Sequence, residues 1–274
     1  MSAPPGARAL MAALERHGVR PTKALGQNFV VDPNTIRKVV DVAQVGPADR
    51  VLEIGAGAGS LTVALAAASR QVVAIERDPR LMPVLEDLLA GVENVDLIEG
   101  DALTLDLGSF GADRLVANLP YNVAATLVVR VLERAPDIAV STVMTQREVG
   151  ERLAAGPGSK VYGQTSVMVR YFARAEVVAR ISRRAFYPVP NVDSVVVRLM
   201  REKGPARDEE EVEKFFSVVR TAFQQRRKTL RNSLGELAGS SGAAEGLLRS
   251  AGIDPGLRAE DVDVEAFMAI AESL

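Results

Sequence analysis

The chain has 274 residues, of which 47% are hydrophobic; 33 Lys and Arg stand against 35 Asp and Glu, and there is one histidine and no cysteine. That length suits one large domain, or a main domain with a smaller appendage. Missing cysteine excludes disulfides, thiolate nucleophiles, thiolate zinc sites and iron–sulfur clusters, and a serine–histidine triad would have to use His17.

The N-terminal stretch "LMAALERHGVR" is amphipathic, and His17 falls at its end. No apolar run approaches the roughly 20 residues of a membrane span, and the N-terminus has no apolar signal core, so a cytoplasmic setting is expected. From residue 50, short β-branched runs alternate with helical patterns. "RVLEIG" (50–55), "QVVAIE" (71–76), "VDLIEGD" (95–101), "RLVAN" (114–118) and "AVSTVMT" (139–145) read as parallel strands buried on both faces. Repeated βα units predict an open, doubly wound α/β sheet. After 146, "EVVARIS" and "DSVVVRLM" read as two more strands, an antiparallel pair at the sheet edge joined through "RRAFYPVPNV". "AAGPGSKVYG" (154–163) reads as a loop, and the chain beyond 201 as helical. The predicted domains are 1–200, with a helical extension over about 1–45, and 201–274.

Open α/β sheets bind ligands outside the carboxyl ends of their strands. Here those ends carry Glu53 with Gly55-Ala56-Gly57-Ala58-Gly59, then Glu76-Arg77-Asp78, Gly100-Asp101-Ala102, and Asn118-Leu119-Pro120-Tyr121. The loop is G-x-G-x-G, whereas a dinucleotide fingerprint wants glycine or alanine at Ser60. A negative charge on Glu53 would oppose a pyrophosphate. A cofactor with a positive centre and no phosphate fits better, and S-adenosyl-L-methionine has both a sulfonium and an ammonium. Glu76 is placed to accept from ribose hydroxyls, and Asp101 from an adenine amine. A methyl acceptor would then meet the donor at "NLPY". The Asn118 oxygen and a nearby carbonyl can accept N–H bonds from an exocyclic amine, Pro120 stiffens the turn, and Tyr121 offers a ring for stacking.

"K-x-LGQNF", "EIGAGAG", "NLPYN", "GPGSKVYG", "F-x-P-x-P-x-VDS" and "RRKTLRN", in that order, resemble the KsgA-type (RsmA) ribosomal RNA adenine-N6 dimethyltransferases over about residues 20–235. The resemblance implies a Rossmann-like class I methyltransferase with a mostly parallel seven-stranded sheet and a small all-α C-terminal domain that contributes to rRNA binding. It implies that Gln27, Asn28 and Val30 border the methionine end of the cofactor. Glu53, Gly55 and Gly57 would lie along its loop, Glu76 and Arg77 at the ribose, and Asp101 and Ala102 at the adenine. Asn118 and the Leu119–Pro120 backbone would hold the target N6, with Tyr121 on one face of the base and Phe186 on the other. The family transfers two methyl groups to N6 of each of two adjacent adenosines in the hairpin loop near the 3′ end of small-subunit rRNA.

Basic residues cluster twice. Arg180, Arg183 and Arg184 precede Phe186, while Arg226, Arg227, Lys228 and Arg231 follow Phe223. Both clusters are candidate contacts to RNA, with phosphates as the main target. The expected partner is small-subunit rRNA in a 30S-type pre-ribosomal particle, with no metal and no membrane, and nothing demands more than a monomer. The alternatives are a large-subunit rRNA adenine-N6 methyltransferase of the macrolide-resistance type, or a non-catalytic RNA-binding assembly factor.

Overall fold

A computed structural model describes residues 6–22, 25–202, 209–225 and 227–274. The chain forms two compact units. One comprises residues up to 151 together with 175–201, and the other 152–174 together with the residues after 201.

The first unit starts with α1 (Ala7–Arg16), whose last turn is followed by His17, with Nε2 3.3 Å from Asp87 Oδ2. Next come β1 (Phe29–Val30) and α2 (Pro33–Ala43). Asp32 caps α2 by accepting from the Asn34 and Thr35 N–H groups, and Pro33 occupies the first turn, where its missing N–H costs nothing. The alternation predicted from the sequence follows: β2 (Arg50–Ile54), α3 (Ser60–Ala68), β3 (Gln71–Glu76), α4 (Met82–Leu88), β4 (Val95–Glu99), β5 (Arg114–Asn118), α5 (Ala124–Arg134), β6 (Val140–Gln146) and α6 (Arg147–Leu153). The helix α7 (Gln164–Phe172) belongs to the second unit. β7 (Ala173–Ile181), β8 (Phe186–Tyr187) and β9 (Ser194–Arg201) follow it.

Seven strands form one sheet in the order β4-β3-β2-β5-β6-β9-β7. The ladders from β4 across to β6 are parallel, and β9 runs antiparallel to β6. The chain lays down β2, β3 and β4 outward in one direction, then returns to the other side of β2 with β5. The crevice between β2 and β5 is therefore the topological switch point, where such sheets bind ligands. β1 and β8 form a separate antiparallel ribbon, Phe29 opposite Tyr187 and Val30 opposite Phe186. That ribbon had no counterpart in the sequence reading.

In the second unit, α8 (Glu209–Gln224) and α11 (Val264–Ser273) pack on α7 and on each other, with α9 (Leu230–Ser233) against α8 and α10 (Ser241–Ser250) against α9 and α11. Tyr171 stacks on Phe215 with ring centroids 4.3 Å apart, and Phe223 meets Tyr162 and Phe267 at 6.3 and 5.9 Å. Residues 152–174 thus pack with the C-terminal helices, not in the 1–200 domain expected. Val167, Met168 and Val169 of α7 are buried here, and an amphipathic helix does not announce in its sequence which core will take its apolar face.

Candidate active site

The cleft at the switch point is built from backbone first. Glycines 55 and 57 hold φ values of +78° and +59°, a region that side chains disfavour. A Cβ on Gly55 would lie 3.4 Å from Pro120 Cδ, and one on Gly57 3.0 Å from Phe29 Cδ1. The loop after β2 therefore runs close beneath both the β1 segment and the Pro120 turn. Both glycines also line the cleft.

Carboxyl groups line this cleft. Glu76 accepts from the N–H of Gly57 at 2.7 Å and, through its other oxygen, from those of Arg77 and Asp78 at 2.9 and 2.8 Å. Burial raises its pKa, and the three N–H groups oppose that rise. Asp101 accepts from Leu103 N–H at 2.9 Å and pairs with Arg77 at 3.3 Å. Glu53 is 1% exposed, and burial, with Glu76 adding repulsion, pushes its carboxyl up to about 8. The protein's own surroundings thus disfavour the ionised form, whereas the sequence alone suggests an ordinary carboxylate. Desolvation at the end of a buried strand is the reason.

Asp78, absent from the candidates, organises one wall. It caps the 3₁₀ turn Pro79–Leu81, pairs with Arg80 at 2.6 Å and accepts from Gln27 Nε2 at 2.8 Å. The Arg80 guanidinium, ahead of the effect of burial, holds its carboxyl below the usual range. Its sequence signal was Asp before Pro, a helix-start signature. Gln27 Oε1 in turn accepts from Thr22 N–H, so this side chain pins the segment before β1 to the end of β3.

At the fourth strand end, Asn118 Nδ2 donates to the Asn28 carbonyl at 3.0 Å. Its Oδ1 is buried and has no partner among the described residues. The Tyr121 hydroxyl and Ser194 Oγ are 2.8 Å apart, which fixes the ring, and burial raises the phenol's pKa. Gln27, Asn28, Val30, Glu53, Gly55, Gly57, Glu76, Arg77, Asp101, Ala102, Asn118, Leu119, Pro120 and Tyr121 all line the one cleft, with Phe29, Ser60, Asp78 and Leu103 beside them. An acidic, glycine-floored cleft in which Glu53 Oε2 and Asn118 Oδ1 are buried without partners among the described residues fits a cationic cofactor that brings N–H donors. It does not fit a pyrophosphate.

Other candidates lie elsewhere. Phe186 is 1% exposed, lies opposite Val30 in the ribbon, and shares a core cluster with Val30, Ile36, Val39 and Leu61, of which Val30 and Leu61 line the cleft. It does not line the cleft; Tyr187, 39% exposed, is the ring of this segment that solvent reaches. Arg183 and Arg184 are exposed, and the Arg183 guanidinium donates to the Asn191 carbonyl. In the helical unit Phe223 is a packing residue, Arg231 pairs with Glu245 at 3.2 Å, and Arg227 and Lys228 are exposed. Arg226 lies outside the described residues.

No helix among the described residues is long and apolar enough to cross a membrane. The sequence profile described as "Ribosomal RNA adenine dimethylase" matches residues 19–274. Proteins named ribosomal RNA small subunit methyltransferase A are similar throughout. The one from Thermobifida fusca is 46% identical, covering 98% of this chain and 94% of its own. That from Geobacillus kaustophilus is 42% identical over 95% and 93%. Among solved structures, a dimethyladenosine transferase from Plasmodium falciparum superposes with a TM-score of 0.75 at 25% identity, covering 87% of this chain and 94% of that one. The 23S rRNA methyltransferase ErmE superposes at 0.67 with 31% identity, over 90% and 99%. With its glycine loop, its acidic strand ends and its Asn-Leu-Pro-Tyr turn gathered in one cleft, this chain belongs to the ribosomal RNA adenine dimethylase family.

Proposed function

We propose that the chain transfers methyl groups from S-adenosyl-L-methionine to N6 of two adjacent adenosines in the 3′-terminal hairpin loop of small-subunit rRNA. It would act as a cytoplasmic monomer on a 30S-type pre-ribosomal particle. The observation that carries this reading is the Asn118 carboxamide, whose N–H is spent on Asn28 and whose buried oxygen is left to accept. An adenine N6 has two N–H bonds and a lone pair delocalised into the ring. Accepting those N–H bonds at Asn118 Oδ1 and at a Leu119 or Pro120 carbonyl favours a pyramidal nitrogen and stabilises the charge that develops on it.

The bound cofactor supplies an electrophilic methyl on a sulfonium. Glu76 and Arg77 would hold its ribose, Asp101 and Ala102 its adenine, Gln27, Asn28 and Val30 would border its methionine end, and Glu53, Gly55 and Gly57 would lie along the loop beneath it. Tyr121, its hydroxyl tied to Ser194, presents a fixed ring to the target base. A base in a duplex cannot enter such a cleft, so the target is unpaired or flipped out. Arg183, Arg184, Arg227 and Lys228 are the exposed cations offered to phosphates.

Likeness to ErmE favours a second reading, methylation of large-subunit rRNA, but the 31% identity there is well below the 46% to small-subunit enzymes. Labelled S-adenosylmethionine with separated ribosomal subunits lacking the modification tests the two. Label is expected in the small subunit, as dimethyladenosine; label confined to the large subunit overturns the proposal.

A further inference from the structure

Glu53 has a chemistry that no step above uses. Its Oε2 is buried in the cleft wall without a hydrogen-bond partner among the described residues, and so is the hydroxyl of Ser60 on α3, which lines the same cleft. The Thr62 hydroxyl, also on α3, lies beside the carboxyl. Glu76 is the charged group that Glu53 feels, and it is negative. The cleft's other charges are spoken for: Asp78 is held by Arg80 and Gln27, and the Arg77–Asp101 pair has a guanidinium that is 63% exposed. Among the described residues no cation acts on Glu53, so its carboxyl ionises when a ligand adds net positive charge to the cleft. Burial raises the carboxyl to about 8, which leaves roughly nine in ten protonated at pH 7.

The methyl donor and its product differ in charge where it matters. Both carry a zwitterionic amino-acid end, which is neutral overall; only the donor adds a sulfonium. We propose that Glu53 is a proton-linked charge selector, which ionises as the cationic donor enters and is protonated again once the sulfonium has become a thioether. The inference rests on S-adenosylmethionine being the donor. The protons balance: donor binding releases one from Glu53 to solvent, transfer releases one from the methylated N6, and Glu53 takes one back. The cycle thus yields the single proton that methylation of an amine requires. The cleft thereby prefers donor to product by charge, although the two molecules differ by one methyl group.

Calorimetric titration of the full chain with S-adenosylmethionine, and separately with S-adenosylhomocysteine, tests this in two buffers of different ionisation enthalpy at pH 7. About one proton is expected to leave per donor bound and close to none per product bound. In Glu53→Gln the donor-linked release should vanish, and the preference for donor over product should fall about tenfold. A thermal melt of the variant checks that it is folded, and the wild-type comparison of the two ligands needs no variant. Equal proton release with both ligands, or release that persists in Glu53→Gln, overturns the inference while leaving the proposed function intact. Failure of the donor to bind at all overturns both.

Discussion

The side chain of Asn118 donates to the main-chain carbonyl of Asn28 at 3.0 Å, joining the end of β5 to the segment that leads into β1. This one bond sets which end of the carboxamide is free. It also ties the approach to β1 to the sheet edge, so the wall and floor of the cleft are positioned together.

Asn118→Ala removes the acceptor. Methyl transfer should fall by about 10²-fold or more, the cost of losing one aimed group at a reacting centre. Donor affinity should stay within about tenfold. Single-turnover rates with equilibrium titration separate the two; full activity in the variant would remove Asn118 from its role.

Tyr121 has two separable parts. Tyr121→Phe loses the hydroxyl facing Ser194 Oγ and should cost about 1 kcal/mol of stability while keeping the ring and most of the activity. Tyr121→Ala also loses the stacking surface, worth roughly 1–3 kcal/mol, so kcat/KM for RNA should drop by about 5- to 150-fold. Chemical denaturation and steady-state kinetics on both variants decide it.

Gly57→Ala puts a methyl 3.0 Å from the Phe29 ring at a φ of +59°. Left-handed strain alone costs about 1–2 kcal/mol, and the loop cannot yield without moving the N–H that Glu76 holds. A lower melting temperature and weaker donor binding are expected together. Unchanged donor affinity would show that the loop backbone is not a contact.

Stability should depend on pH through Glu53. Its folded pKa, raised from 4.5 to about 8, means the folded protein keeps a proton that the unfolded chain gives up above about pH 4.5. Stability therefore falls as pH rises across that window and levels off above it. Glu53→Gln should flatten this slope and be more stable than the wild type at pH 9, by an amount on the order of a few kcal/mol at most. Glu76, also shifted upward, leaves a residual slope. Melting curves from pH 5 to 9 give the answer.

Paired substitution Arg227→Ala and Lys228→Ala should weaken RNA binding without lowering stability, and the salt dependence should flatten by about one unit per lost phosphate contact. Phe223→Ala should do the reverse. Its ring packs on Tyr162 and Phe267, so about 3 kcal/mol of stability is expected to go.

The sheet was legible because buried parallel strands spell themselves as continuous β-branched runs, and the edge residues followed from strand order. Position in three dimensions was not legible where a residue's role depends on a distant partner. The burial of Phe186 opposite Val30 depends on a pairing between segments more than 150 residues apart. Phe223 stood beside arginines in sequence, yet it is held by rings from α11 and from the segment before α7. A two-residue ribbon such as β1–β8 is too short to show any period. The pull of burial on Glu53 was not legible for a similar reason, since a sequence shows the carboxyl but not its desolvation.

The helical unit is assembled from two stretches of chain separated by residues 175–201, which belong to the sheet. During synthesis, α7 leaves the ribosome before β7 and β9 and well before α8 and α11, against which it packs. The contacts of α7 with those helices have to wait for roughly the last quarter of the chain. A protein cut after residue 201 would complete its sheet and still carry α7 without these partners, so truncation there should yield an aggregation-prone product rather than a free catalytic domain.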